Sequence, residues 1–183
     1  MENKENSSNF LYDFASIVVS GMIAIAVIFT FFVRTADVSG SSMVPTLHNK
    51  DILLITAHQT HVEYGDIVII TQPNAFNEPI IKRVIATEGQ EIDIDFDEGI
   101  VYVDSKPLKE NYTNDKTYCR EDFSGSVTVP KGCVFVMGDN RNNSTDSRSN
   151  MVGFIDTRYI YGKVIGRIAP FGSWDVYASF QGE

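Results

Sequence analysis

The chain has 183 residues, 15 Lys+Arg against 24 Asp+Glu for a formal charge of −9, and two cysteines. That length holds one modest domain with a real core, or a smaller domain plus an anchor, and the acidic balance argues against the basic face that a nucleic-acid partner requires. Two cysteines cannot frame a disulfide-rich mini-protein, no CxxC, HExxH or Cys/His cluster offers a zinc site, and 43% hydrophobic against 21% charged residues argues against wholesale disorder.

After a short N-terminal tail, 1–14, residues Ala15 to Val33 run for 19 positions without a charge, between Asp13 and Arg34. At a rise of 1.5 Å per residue, about 20 such residues cross the ~30 Å hydrocarbon core of a bilayer. A buried core helix would carry a polar stripe, which this run lacks. A cleaved signal peptide is disfavoured by the length of the run, by the acid-leaning MENKENSS ahead of it, and by the lack of a small-x-small pattern after it. The segment is predicted to be an uncleaved transmembrane helix. Charge does not orient it, because Lys4 stands nearly alone on one flank and Arg34 on the other.

Just beyond lies Ser39–Leu47, SGSSMVPTL. Glycine permits close backbone approach, and Pro45 biases Val44 towards an extended conformation. A serine in such a bend can present its Oγ and its own N–H together, as acyl transfer requires, although Ser/Gly clusters are usually plain loops.

From Asp37 to the end, short Ile/Val-rich runs alternate with Gly, Pro, Asn and Asp. The predicted strands are 52–56, 66–71, 79–86, 91–96, 100–103, 133–137 and 161–168. They imply a mainly β, antiparallel domain over 37–183, a folded sheet or partly open barrel, with no long amphipathic helix outside the anchor. His58 and His61, spaced HxxH, read as solvated. In Glu91–Glu98, Ile92, Ile94 and Phe96 alternate with Asp93, Asp95 and Asp97, which puts the acids on one solvated strand face rather than around a calcium ion. Residues 106–125, polar and strand-poor, read as a surface excursion.

Within Glu78–Ile85, EPIIKRVI, Lys82 shares a strand face with Ile80 and Val84, and Arg83 shares the other with Ile81 and Ile85. One of these adjacent cations must meet an apolar surface or a sheet edge. The ordinary outcome is a snorkelling lysine on an edge strand; the functional one is a lysine desolvated enough to lose its proton. With a free pKa near 10.4, about one lysine in 2,500 is neutral at pH 7, and lowering the pKa by about two units costs roughly 2.7 kcal/mol, within reach of burial. Excess acid in the domain pushes the other way, so burial must win.

The loop Gly138–Arg148, GDNRNNSTDSR, follows the apolar run CVFVM. Its two arginines and two aspartates can pair internally. Arg141 and Ser144 occupy positions that rule out an EF-hand. Taken alone, it is a pair of solvated turns. Near the C-terminus Phe171, Trp174, Tyr177 and Phe180 suit either an interfacial membrane contact or packing on the β-domain. Cys119 and Cys133 suit either one disulfide or free thiols.

Three of these segments, SGSSMVPTL, PIIKRVI and GDNRNNSTDSR, follow a membrane anchor in that order. With Gly65–Ile69, GDIVI, they closely resemble the type I signal peptidases, membrane-anchored serine–lysine endopeptidases, over most of the chain. The resemblance implies that Ser42, before Met43, is the nucleophile and that Lys82, before Arg83, is the general base. It implies that Ser144 hydrogen-bonds and positions that lysine, and that Asp146 and Arg148 hold the polar loop in shape. No histidine, metal or cofactor enters such a dyad. Gly40 stands where some members carry a serine that donates to the oxyanion, as in the Gram-positive variant, so the Ser42 N–H must serve, with or without another group. After the lysine the family often reads Gly-Leu-Pro-Gly-Asp, where this chain has Ala86-Thr-Glu-Gly-Gln90.

The implied substrates are preprotein signal peptides with small residues at −1 and −3, bound extended against a strand edge. The implied location is the cell membrane, single-pass, with a cytoplasmic N-terminus and an extracytoplasmic catalytic domain in contact with the lipid bilayer. Eight residues separate Arg34 from Ser42, at most about 30 Å of extended chain, which keeps the serine near the bilayer. Two rivals stand beside this reading. Soluble self-cleaving regulators share the Ser/Lys arrangement but have no anchor, and they carry DNA-binding helices that are missing ahead of Ser42. A catalytically silent, anchored peptide-binding β-module would have no need of both Ser42 and Lys82.

Overall fold

The computed structural model describes residues 2–56, 61–73, 75–170 and 174–177, and the side chains of all of these but 2–11 and 28–33. It divides into two compact units, Met1–Arg34 and Thr35–Glu183.

The first unit is built on one helix, α1 (Glu2–Phe32), which takes in the uncharged run up to Phe32; Val33, the last residue of the expected span, instead begins a strand. Its described apolar side chains, among them Phe14, Ile17, Met22 and Ile25, are exposed. Among the described residues, no helix is long and apolar enough to cross a membrane. Residues 28–33 of the predicted span lie outside the described side chains.

The strands run in chain order as β1 (Val33–Asp37), β2 (Ile52–Thr56), β3 (Ile67–Ile70), β4 (Ile80–Thr87), β5 (Glu91–Asp95), β6 (Ile100–Val103), β7 (Lys106–Pro107), β8 (Val127–Thr128), β9 (Cys133–Met137), β10 (Ile155–Asp156) and β11 (Ile160–Ala169). They form a seven-stranded sheet, β1-β2-β11-β3-β4-β9-β10, and a four-stranded one, β7-β6-β5-β8. The described pairings are antiparallel, so the mainly β, antiparallel class expected from the sequence is the one observed. The seven predicted strands all form, with ends shifted by a residue at most; β7, β8 and β10, two residues each, are too short to leave an alternating pattern.

Burial follows the side-chain alternation of a pleated sheet. In β5, Ile92 and Ile94 are buried while Glu91, Asp93 and Asp95 are exposed, which leaves the acids on a solvated face. The interior strand β3, IVII, is buried at every position, as expected for a strand covered on both faces.

One expectation needs correction. The stretch 106–125 is poor in strand but is not merely a surface excursion, because Tyr112, Thr117 and Phe123 are buried. Its burial rests on side-chain partners distant in sequence, which a local pattern of polarity cannot reveal. The cysteines are both free. His61 is exposed beside Glu63, and His58 lies outside the described residues. Tyr177 packs on the β-domain, taking a hydrogen bond from the Ile67 N–H and donating one to the Val164 carbonyl. Trp174 is exposed, and Phe171 and Phe180 lie outside the described residues.

Candidate active site

Strand β4 lies between β3 and β9, so neither of its cations can escape to an edge strand. Lys82 is opposite Val68 in β3, and Arg83 is opposite Met137 in β9. Both are buried, at 4% and 0% exposure, yet they meet different surroundings.

Arg83 finds a carboxylate. Its Nε and Nη2 donate to Asp139 Oδ1 and Oδ2 at 2.9 and 2.7 Å, its Nη1 donates to the Gly65 carbonyl, and its guanidinium lies 4.2 Å from the centre of the Tyr112 ring. Thr46 Oγ1 donates to the same Asp139. A bidentate, fully desolvated pair of this kind is a charge-assisted anchor; here it joins β4 to the loop 138–148, and Thr46 ties the segment that carries Ser42 to the same carboxylate.

Lys82 instead meets a hydroxyl. Its Nζ lies 2.7 Å from Ser42 Oγ. Burial pushes the ammonium below its usual range. Asp146, Glu121 and Asp139 oppose that shift, Arg148 reinforces it, and burial prevails.

Ser42 is held by its neighbours in sequence and by the polar loop. Met43 and Leu47 sink into an apolar cluster with Leu53, Ile55, Ile67 and Val164. The Asn140 N–H donates to the Ser42 carbonyl at 2.9 Å, and the amide side chains of Asn140 and Asn143 bind the Ser41 carbonyl and hydroxyl. Gly40 has φ +95, a left-handed conformation that lets the chain turn into the serine.

The loop 138–148 owes its shape to Asp146. That carboxylate, fully buried, accepts from Arg148 Nε and Nη2, from the Gly138 N–H and from the Ser144 hydroxyl, each at 2.9 Å. Burial alone would raise its pKa, but the Arg148 hydrogen bonds and charge, the Gly138 N–H and Lys82 together hold it below the usual carboxylate range. Arg148 also donates to the carbonyls of Cys119 and Arg141. Gly138 is needed by contact: a Cβ there would fall 2.5 Å from the Ser42 carbonyl oxygen and 2.6 Å from Ser144 Cβ.

Thus the structure brings Ser42 and Lys82 together, and Asp146, Arg148 and Ser144 together beside them. The hydrogen bond of Ser144 goes to Asp146; Lys82 has its own with Ser42. Gly40 lines the cavity that opens on the pair. Several contributors carry no mark of chemistry in the sequence. Asn140, Asn143 and Asp139 sit in a loop that looks merely polar. Glu110 clamps Arg141 through both terminal guanidinium nitrogens, Nη1 and Nη2, from within the 106–125 stretch. The density of Asn and Asp in 138–146 is the one trace of them in the sequence.

A cavity of about 510 Å³ opens on the pair, bounded by Val38, Gly40, Ile69, Phe76, Ile80 and Tyr161 among others. Beyond the Arg83–Met137 register, no β9 partner continues along Ile80–Lys82, so among the described residues that side of β4 faces the cavity without a neighbouring strand. The arrangement can bind an extended chain and deliver a serine oxygen to one of its carbonyls.

The model of the family described as signal peptidase, peptidase S26 matches residues 11–169. The probable signal peptidase I-1 of Synechocystis sp. is 35% identical, covering 86% of this chain and 83% of that protein. Signal peptidase I of Bacillus licheniformis is 33% identical, covering 88% of this chain and 90% of that protein. The mitochondrial ATP-independent inner membrane protease subunit 1b of Arabidopsis thaliana is 36% identical, covering 72% of this chain and 68% of that protein.

Proposed function

We propose, for a chain that belongs to the signal peptidase, peptidase S26 family, that Ser42 is the nucleophile and Lys82 the general base of a Ser/Lys dyad. The activity is that of the family: a serine endopeptidase that removes signal peptides from preproteins.

The observation that carries the assignment is the 2.7 Å contact between the Nζ of the buried Lys82 and the Oγ of the half-buried Ser42, both lining the open cavity. As an ammonium, Lys82 donates to the hydroxyl. As a free amine it accepts the Ser42 proton along the same line, while Oγ attacks the scissile carbonyl. Charge then develops on the carbonyl oxygen. Gly40 has no hydroxyl to offer it, so the Ser42 N–H is the donor nearest the reacting carbon. The Lys82 ammonium passes its proton to the leaving amine, an ester to Ser42 remains, and Lys82 activates the water that releases it. Asp146, Arg148 and Ser144 position the loop that frames the dyad.

The substrate lies extended along the cavity side of Ile80–Lys82, adding a strand to the sheet. Side chains at −1 and −3 then point to the same face, towards the apolar cavity lining. Small residues there let the substrate backbone approach within reach of Ser42. Helix α1, with exposed apolar side chains and the uncharged run 15–33, is the single membrane anchor. The N-terminus is cytoplasmic, and the domain beyond residue 37 acts at the extracytoplasmic surface of the cell membrane.

The test is to incubate the detergent-solubilised chain and its Ser42→Ala variant with a model preprotein and map the cut by mass spectrometry. One cut after small residues at −1 and −3, absent from Ser42→Ala, is expected. The same cut made by Ser42→Ala refutes the assignment.

A further inference from the structure

Asn140 holds both peptide units that flank Ser42. Its backbone N–H donates to the Ser42 carbonyl at 2.9 Å, and its side-chain Nδ2 donates to the Ser41 carbonyl at 3.1 Å. The Ser41 carbonyl also accepts from the Val44 N–H at 3.2 Å, which closes a turn over residues 41–44. Asn140 is itself fixed by the loop that carries it. Its carbonyl accepts from the Asn143 N–H at 2.9 Å, and Asn143 Nδ2 donates to Ser41 Oγ at 3.1 Å. The preceding residue, Asp139, is bound through its carboxylate to Arg83 and through its carbonyl to the Asn114 N–H.

These contacts decide where one N–H points. The peptide bond between Ser41 and Ser42 is trans. In a planar trans unit the C=O and the N–H point in opposite directions. With the Ser41 carbonyl turned into the polar loop, the Ser42 N–H is turned away from it. The cavity is lined by Gly40, Ser42 and Met43 and, among the described residues, by none from the loop 138–148. The loop therefore backs the serine segment from the side away from the cavity, and the Ser42 N–H faces the cavity side. Among the described residues no acceptor takes that N–H, so it is available to a bound chain. Two donors on the Ser41 carbonyl also polarise the peptide unit and strengthen its N–H as a donor. Gly40 brings no side-chain donor of its own, so stabilising charge on the scissile carbonyl oxygen depends on the aim of this one group.

We infer that Asn140 is the positioning residue of the oxyanion donor: its side-chain amide, on the Ser41 carbonyl, fixes the peptide unit 41–42 so that the Ser42 N–H meets the scissile carbonyl oxygen of a bound chain. This rests on Ser42 acting as the nucleophile.

The experiment measures kcat, KM and their pH dependence for cleavage of a model preprotein by the full chain in detergent, as wild type, Asn140→Ala, Asn140→Asp and Ser42→Ala, with a melting curve for each. Asn140→Ala removes the side-chain amide and keeps the backbone hydrogen bond to Ser42, so the peptide unit is loosened while the segment stays seated. It should lower kcat about tenfold, short of the roughly 10²–10³ lost with a whole oxyanion donor. KM should stay within about twofold, because a loss confined to kcat marks an interaction made only in the transition state. The rising limb of the pH profile should stay in place. Asn140→Asp, close to asparagine in shape, sets a carboxylate against the Ser41 carbonyl; it should lower kcat at least as far, and it carries the test should the alanine variant misfold. A peptide aldehyde gives a second readout. Ser42 Oγ adds to its carbon, the hydroxyl proton ends on its oxygen, and that oxygen takes the place of the oxyanion. Its inhibition should weaken in step with kcat. An unchanged kcat, a loss carried by KM or unchanged aldehyde inhibition overturns the inference. So does a displaced limb, which would place the effect of Asn140 on Lys82. Cleavage by Ser42→Ala would instead overturn the dyad itself, whatever the Asn140 variants do.

Discussion

Replacing Asp146 with Ala would remove the carboxylate that organises the loop and leave Arg148 buried with only carbonyls to bind, at Cys119, Arg141 and Ser144. Both partners of the pair are fully buried. Breaking such a pair from one side costs about 3–5 kcal/mol, because the remaining charge stays desolvated. Against an ordinary domain stability of about 5–15 kcal/mol that is a large fraction. At about 2–4 °C per kcal/mol, the melting temperature should fall by about 6–20 °C. The pH dependence follows from the depressed pKa of Asp146. A group whose folded pKa lies below its unfolded value near 3.9 contributes stability that is present above that value and lost as pH falls through the folded pKa. The deficit of the variant should therefore be full near pH 7 and shrink in acid. The assay is thermal unfolding of the wild type, Asp146→Ala, Arg148→Ala and the double variant from pH 3 to 8, with cleavage measured at 25 °C. The double variant should lose less than the sum of the singles. A normal melting curve alongside lost cleavage would refute the reasoning, because Asp146 would then act on the chemistry and not through the order of the loop.

Lys82→Met should abolish cleavage, since a nucleophile and its base act as a unit and losing one costs nearly as much as losing both. The same variant should melt higher than the wild type near neutral pH, because it replaces a desolvated amine with an apolar chain of similar length; a lower melting temperature would show that the amine contributes to stability. In the wild type, cleavage should rise with pH along a limb displaced below the usual lysine range, as the lowered Lys82 pKa requires; a limb controlled by a group titrating near 6.5 would implicate a histidine. Gly138→Ala should cost about 1–3 kcal/mol by overpacking against the Ser42 carbonyl and Ser144, with cleavage reduced by more than the stability loss explains. An unaltered pH–rate profile and melting curve would show that the loop relaxes freely there.

The seven strands were legible because each carries its own burial pattern: Ile92 and Ile94 against Asp93 and Asp95 need no distant partner to identify them. The serine and the lysine were legible as a combination, each segment being weak alone. What escaped was whatever depends on long-range pairing. Nothing local distinguishes Glu110, which binds Arg141 across 31 residues of chain, from an exposed acid. Tyr112 sits in a polar stretch and is buried under Arg83 only because the sheet brings β4 there. Alternation predicted opposite faces for Lys82 and Arg83. It could not say that both faces are covered, and hence that both cations are buried.

That double burial explains how one strand supports two adjacent cations with opposite fates. Desolvation penalises both charged forms equally in kind. Arg83 answers with Asp139, whose two oxygens take its fork, and the pair holds the guanidinium above its ordinary pKa although burial alone would lower it. Lys82 has a hydroxyl where Arg83 has a carboxylate, and its pKa falls. Exchanging the two side chains could not give the same site, since a guanidinium stays protonated in any such pocket and an ammonium cannot fill a planar two-oxygen fork. The order Lys-Arg on β4 therefore places the charge that stays on towards the scaffold and the charge that can come off towards Ser42.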